Sequence, residues 1–414
     1  MIPTDTDTFH TRPMYLQEYQ NRGLPLWDAF GTRYPAAFTH PLREYRALTG
    51  KVGLIDLSHW GAVRLRGADR VTFLNSQITN EVATLAVGEA CHAALTTTKG
   101  KLIAELFVLF REEELFVLVA QGETARVIES LDRHIIADDV LLEDVSNDFV
   151  VLSVEGPKSR ELVWRLFPEG PLPMEPLAFG DADYQGMPVT VLRNSVTGQR
   201  GFQLIVSGDG RRLVRNYLIQ AGMGFDMEEC GGLAWDMRRV ENGLPWWGRD
   251  ITPDNFPAEC RLDDLVNYEK GCFLGQETLA RMHHRGHPNW KLVGLVPSDG
   301  PGSEGTPAFI SEEKLPVLET NANDVKAHID WLMRERLGGT ELFSPEESDS
   351  DGAKPLGRLT SPVFSPALGG LLTLGLVRQK LSETGTHFEA RIDGAVVALT
   401  VISLPVPEEK SAKG

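Results

Sequence analysis

The densest group of reactive side chains lies in Lys270-Gly271-Cys272-Phe273-Leu274-Gly275-Gln276-Glu277. A thiol, an ammonium, a carboxylate and two glycines are followed by a helical pattern, Thr278 to Met282. Gly271 and Gly275 suit a tight turn, where a positive φ costs little. A turn that runs into a helix N-terminus leaves backbone N–H groups without partners. Those groups, the helix dipole and Lys270 would favour a thiolate at Cys272. On residue types alone a buried cysteine on an ordinary turn fits equally well. The other thiols have less support: Cys91 sits among small strand residues, Cys230 beside Glu228 and Glu229, and Cys260 between Glu259 and Arg261.

Other polar groups are set against plainer readings. Glu105 lies in a strand pattern with Leu102, Ile103, Leu106, Phe107 and Val108, so its side chain is expected near a core or cleft. Asp56, Ser58 and His59 end a strand and read as turn residues, because no nucleophile elbow surrounds them. His283, His284 and His287 are close in sequence, but Gly286 and Pro288 end the helix and no acidic ligand joins them, so no metal site is assigned. Arg238 and Glu241 are spaced for a helix-surface ion pair.

The elements that must position these groups belong to a chain of 414 residues, 42% hydrophobic, with a net charge of −17. That length allows two or three domains, and the acidic balance disfavours nucleic-acid and membrane partners. No apolar run approaches the ~20 residues of a membrane helix, and no leader pattern is visible at residues 1–12. The widely spaced cysteines fit free thiols in a reducing, cytoplasmic compartment. Strands and helices alternate without a Gly-x-Gly-x-x-Gly turn, which favours α+β layers over a dinucleotide fold.

The Lys-Gly-Cys-Phe-x-Gly-Gln-Glu stretch resembles the signature of the YgfZ-type folate-binding proteins, relatives of the glycine-cleavage T-protein, the aminomethyltransferase. Further blocks resemble that superfamily in the same order. They are Gly53-Leu54-Ile55-Asp56-Leu57-Ser58-His59-Trp60-Gly61, Lys99-Gly100-Lys101-Leu102-Ile103-Ala104-Glu105-Leu106, and Arg238, Glu241, Gly243 and Asp250. Where the T-protein has two adjacent aspartates, this chain has Ala104 and Glu105. Where it has Tyr-Thr-Gly-Glu-x-Gly-x-Glu, this chain keeps Thr197, Gly198 and Gly201 but has Val196, Gln199 and Gln203 in place of the tyrosine and both glutamates.

The resemblance implies two ferredoxin-like folate-binding domains around a central cleft within residues 1–285. It also implies a β-barrel domain over 286–404 and a polar tail over 405–414. Residues 311–353, with a helix expected over 321–336, have no counterpart in the family and read as an insert. The resemblance implies tetrahydrofolate contacts at Glu105, Phe107, Val196, Gln203 and Lys270, with Arg238 facing the folate tail. Cys272 and Glu105 would be the catalytic residues. The implied role is that of an accessory protein of iron–sulfur protein maturation, with iron–sulfur client or assembly proteins as partners. The enzyme alternative is a tetrahydrofolate-dependent aminomethyl- or methyltransferase.

Overall fold

The structure is a computed structural model that describes residues 13–29, 32–120, 123–168, 170, 172–207, 210–300, 338–345, 353–392 and 395–407. The chain enters through α1 (Pro13–Asn21) and a hairpin, β1 (Leu26–Ala29) with β2 (Thr32–Pro35). Helix α2 (Pro41–Gly50) starts at His40, whose ring accepts from the Leu42 N–H. Strand β3 (Gly53–Asp56) follows and is built into a sheet completed much later in the chain.

The first sheet is formed by β4 (Gly61–Arg66), β5 (Ala90–Thr96), β6 (Leu102–Phe110), β7 (Leu115–Val119) and β8 (Leu141–Asp144), with α3 (Arg70–Gln77) and α4 (Thr124–Asp132) between them. Its order is β5-β6-β7-β4-β8. The second half adds β9 (Phe149–Glu155), α5 (Ser159–Leu166), β10 (Phe179–Tyr184), β11 (Met187–Leu192), β12 (Gly201–Ser207), α6 (Arg211–Gly222), β13 (Glu228–Glu229) and α7 (Gly232–Glu241). Its sheet runs β10-β11-β12-β9-β3-β13, so the two α+β units are interleaved through β3. Every pairing in both sheets is antiparallel except β13 with β3.

Strand alternation decides which residues face inward. On β6, Ala104, Leu106 and Val108 pack with Phe73, Leu74, Val127 and Leu131 of the covering helices. Glu105 and Phe107 therefore point to the opposite face. On β12, Phe202, Leu204 and Val206 pack against Leu162, Val163 and Leu218, which turns Gln203 and Ile205 the other way. The two uncovered faces meet in one core: Phe107, Leu109 and Leu118 from the first sheet join Ile55, Val151 and Ile205 from the second, and Trp235 of α7 joins both.

After α8 (Gln276–Arg285) come β14 (Trp290–Pro297), β15 (Glu341–Phe343), β16 (Gly357–Ser365), β17 (Gly370–Arg378), β18 (His387–Ile392) and β19 (Ala395–Ile402). They close into a barrel, β14-β17-β16-β15-β18-β19. This corrects the extent of the insert. Residues 341–343 are a barrel strand, paired to β16 and β18. The expected helix over 321–336 lies outside the described residues.

A bulge in β16 between Leu359 and Ser361 turns Thr360 and Ser361 onto Asp250, with Ser361 Oγ 2.7 Å from Asp250 Oδ1. Arg239 of α7 donates to both Asp250 Oδ2 and Ser361 Oγ at 2.8 Å. This buried cluster locks the barrel to the two α+β units.

Candidate functional site

The inner face of the first sheet carries a polar pair on an aromatic stack. His92 of β5 lies opposite Phe107 of β6 and diagonal to Glu105. The rings of His92 and Phe107 stack at 4.0 Å, and Trp60 stacks on Phe107 at 5.5 Å. That packing fixes the imidazole, and its Nε2 sits 2.6 Å from Glu105 Oε1. Glu105 Oε2 makes no hydrogen bond among the described residues. The Glu105 side chain is 17% exposed, so the pair is largely withdrawn from water. Ala104 is fully buried in the layer below. A carboxylate at that position would face the helices, so its absence takes nothing from this face.

The inner face of the second sheet carries Gln203, fully buried, with neither its Oε1 nor its Nε2 in a hydrogen bond. Leaving two such groups unpaired is costly, about 1–3 kcal/mol each. The neighbouring carboxylate is fully used. Glu155, on the strand beside β12, accepts from Ser153 Oγ and Ser195 Oγ at 2.6 Å, Thr197 Oγ1 at 2.7 Å and Val196 N at 3.0 Å. Burial pushes the Glu155 carboxyl up in pKa, against these four donors. The arrangement fixes the 195–197 turn, and the Val196 carbonyl then accepts from Trp235 Nε1 at 3.1 Å. Val196 packs against the shared core.

The Lys270–Glu277 stretch is a buckle on the outside of the first unit. Lys270 is 7% exposed, and its ammonium donates to the carbonyls of Asn75, Ile78 and Asn80 at 2.7, 3.0 and 2.6 Å. It thereby satisfies the C-terminal end of α3, and burial pushes its pKa down to about 8. Leu274 N donates to Ser76 O, and Thr96 Oγ1 donates to Leu274 O. Gly275 takes φ +84° and lies so close to Thr97 O and Gly100 that a Cβ would come within 2.5 Å of that carbonyl. The stretch therefore clamps the turn that leads into β6 and Glu105. Cys272 is exposed and the other three cysteines are buried. Burial pushes Cys91 up to about 12 and raises Cys230 and Cys260 well above the ordinary thiol range. The expected use of Lys270 as a cofactor contact and thiolate partner conflicts with this geometry, because its three donors are already engaged with backbone.

Arg238 also departs from expectation. It is 2% exposed and donates to Glu241 Oε2 at 3.0 Å, where Tyr45 Oη donates too. Glu241 Oε1 accepts from Ser365 Oγ of the barrel. The i, i+3 pair thus forms in the interior and braces the barrel, and Arg238 does not stand at a cleft mouth. Asp56 accepts from Ser58 N at 2.8 Å, the turn role expected of it. His283 stacks on Tyr268 at 4.0 Å.

The inner face of the first sheet thus carries Glu105 and His92 with Phe107 and Trp60, and that of the second carries Gln203; Phe107, Trp60 and Val196 belong to the core the two faces share. His92 was missed by sequence reasoning; its two-residue offset from Ala90 on an alternating strand is the only signal it leaves. Cavities of about 490 and 250 Å³ open elsewhere on the surface. The buried unpaired amide and the acid–imidazole pair are the stronger indication of chemistry.

Comparison with known proteins agrees with this fold. Residues 15–270 match the GCVT N-terminal domain, and residues 334–406 match the glycine cleavage T-protein C-terminal barrel domain. The aminomethyltransferase of Shouchella clausii is 31% identical over 95% of this chain and 96% of its own length. That of Bacillus subtilis is 26% identical over 94% and 96%. The crystal structure of glycine cleavage system aminomethyltransferase T from Bartonella henselae shares the fold, with a TM-score of 0.76 at 22% identity, covering 96% of this chain and 98% of that one. With more than half its length matched by one family model and a full-length relative above 30% identity, the chain belongs to the glycine-cleavage T-protein family.

Proposed function

We propose that this protein is a tetrahydrofolate-dependent one-carbon transferase of the aminomethyltransferase type. The observation that carries the reading is Gln203. A fully buried amide with an empty acceptor and an empty donor fits the alternating donor–acceptor edge of a pterin. A ligand that filled both would remove a standing desolvation cost. The relatives named aminomethyltransferase support the same chemistry.

Tetrahydrofolate, when bound, supplies the amine nitrogens that receive a one-carbon unit. In this reading, Glu105 and His92 hold and move a proton beside it. In the tautomer that carries its proton on Nε2, His92 donates to Glu105 Oε1 and orients the carboxylate. Glu105 Oε2 remains open and is the atom that takes the proton from an amine, or returns it to a leaving group. The Phe107–Trp60 stack keeps the imidazole plane fixed and excludes water from one side of the pair. Glu105 is one methylene longer than aspartate, and the bond from His92 restrains that extra freedom.

The test is transfer from aminomethyl and methyl donors to tetrahydrofolate. Turnover with either donor, reduced in Glu105→Ala, is the expected result. Folate binding without turnover on both donors would defeat the transferase reading. It would favour the second reading, an accessory role in iron–sulfur maturation, for which the specific observation is that Cys272 is the exposed thiol of the four. Complementation by Cys272→Ser in a strain lacking the protein tests that role.

A further inference from the structure

The cavity of about 490 Å³ lies away from the inner faces, between the first turns of α5 and the ends of β11 and β12. Its charged lining is Arg160, Arg193, Arg200 and Glu161, with Trp164 and Phe202 as its aromatic walls. In a chain with 58 acidic and 41 basic residues, a surface arginine is expected to find a carboxylate. Elsewhere they do: Arg111 holds Asp181 at 2.6 Å, Arg64 holds Glu114 at 3.0 Å, and Arg281 holds Glu277 at 2.6 Å. Among the described residues, Arg160, Arg193 and Arg200 make no ion pair and no side-chain hydrogen bond.

Two of the three are nevertheless held in place. The guanidinium of Arg160 lies over the Trp164 ring at 4.1 Å, and that of Arg193 over Phe202 at 5.9 Å. Stacking fixes a guanidinium plane while leaving its N–H edge for in-plane acceptors. The Nε of Arg160 is shielded from water and has no hydrogen-bond partner. Arg200 is exposed at the rim, and its backbone carbonyl is fixed by the Gly156 N–H at 2.8 Å. Two carboxylates oppose an anion here. Glu161 lines the cavity on its exposed side, and Glu155 lies behind Gly201, already saturated by its four donors.

We propose that this cavity binds a small molecule carrying two or more oxyanion groups, phosphate or carboxylate. Three guanidinium groups, one from α5 and two from the two ends of the β11–β12 connection, line one space, which exceeds what a single ion needs. Its volume lies in the range of small-ligand pockets. Arginine is the side chain suited to bidentate recognition of either oxyanion.

The test uses the full chain in calorimetric titration at low salt, with pyrophosphate and tricarballylate as probes and sodium chloride at matched ionic strength as control. The expected result is saturable binding of at least one probe, weakened tenfold or more in R193Q/R200Q. Tighter pyrophosphate binding assigns the site to phosphate-bearing ligands, and tighter tricarballylate binding to polycarboxylates. R200Q alone removes an exposed side chain without bonds, so it keeps the test valid should the double variant fold poorly; it should weaken binding severalfold. Absence of binding by both probes, an equal response to sodium chloride, or unchanged affinity in R200Q and R193Q/R200Q would overturn the proposal.

Discussion

The Lys270–Glu277 stretch and the inner sheet faces are opposites in how far their polar groups are satisfied. In the first, the ammonium of Lys270 has three carbonyl acceptors and the backbone is pinned to α3 and to the turn before β6. In the second, Gln203 is wholly buried with both amide atoms unpaired. The most distinctive sequence stretch is therefore mainly a structural fastening. The less distinctive strands hold the groups with bonding capacity left over. A saturated cluster stabilises the fold, whereas an unsaturated buried group calls for a partner that the protein itself does not supply.

This contrast can be broken at either end. Glu105→Ala has the largest expected effect, a loss of about 10²–10⁴ in transfer rate, the usual contribution of a positioned acid–base group. Steady-state rates with saturating tetrahydrofolate check it, and melting should be unchanged. Lys270→Met comes next. It leaves three carbonyls without their donor and should cost roughly 2–4 kcal/mol of stability, read as a lowered urea midpoint. A neutral result would remove the fastening from the account.

His92→Phe keeps an aromatic ring on Phe107 but removes the bond to Glu105. The rate should fall by about 10–30-fold, some 1.4–2 kcal/mol, in steady-state turnover, with folate affinity nearly unchanged. Cys272→Ser should be smallest, within about 0.5 kcal/mol in stability, because the side chain is exposed. At pH 8, a thiol-specific alkylating agent should modify Cys272 far faster than Cys91, whose buried thiol has a pKa pushed up to about 12. Equal rates would contradict the burial contrast.

The layer architecture was readable because strand alternation is local. Ala104, Leu106 and Val108 against Glu105 and Phe107 separate two faces within a few residues. Gln203 was named through the family resemblance, and its inward direction follows from the packing of Phe202 and Leu204 against the covering helices. Long-range use of a side chain was not readable. Lys270 is separated by 190 or more positions from the carbonyls it holds, so nearness to Cys272 in sequence was a poor guide to its partner. His92 reaches Glu105 through hairpin register, and that register shifts at a bulge between Leu95 and Thr96. Strand β15 is three residues long and precedes an acidic run, too short for any periodicity to mark it. Arg238 and Glu241 had the spacing of a surface pair, but α7 is buried on all sides, so the pair formed in the interior.

The most direct test of the central claim is a calorimetric titration of tetrahydrofolate into the wild type and Gln203→Met, with melting measured on both. Methionine keeps the length of the side chain and removes the unpaired amide. The account predicts folate affinity weaker by about 10–100-fold in the variant, with a melting temperature equal to or above that of the wild type. Equal affinity for tetrahydrofolate in the two proteins would contradict it.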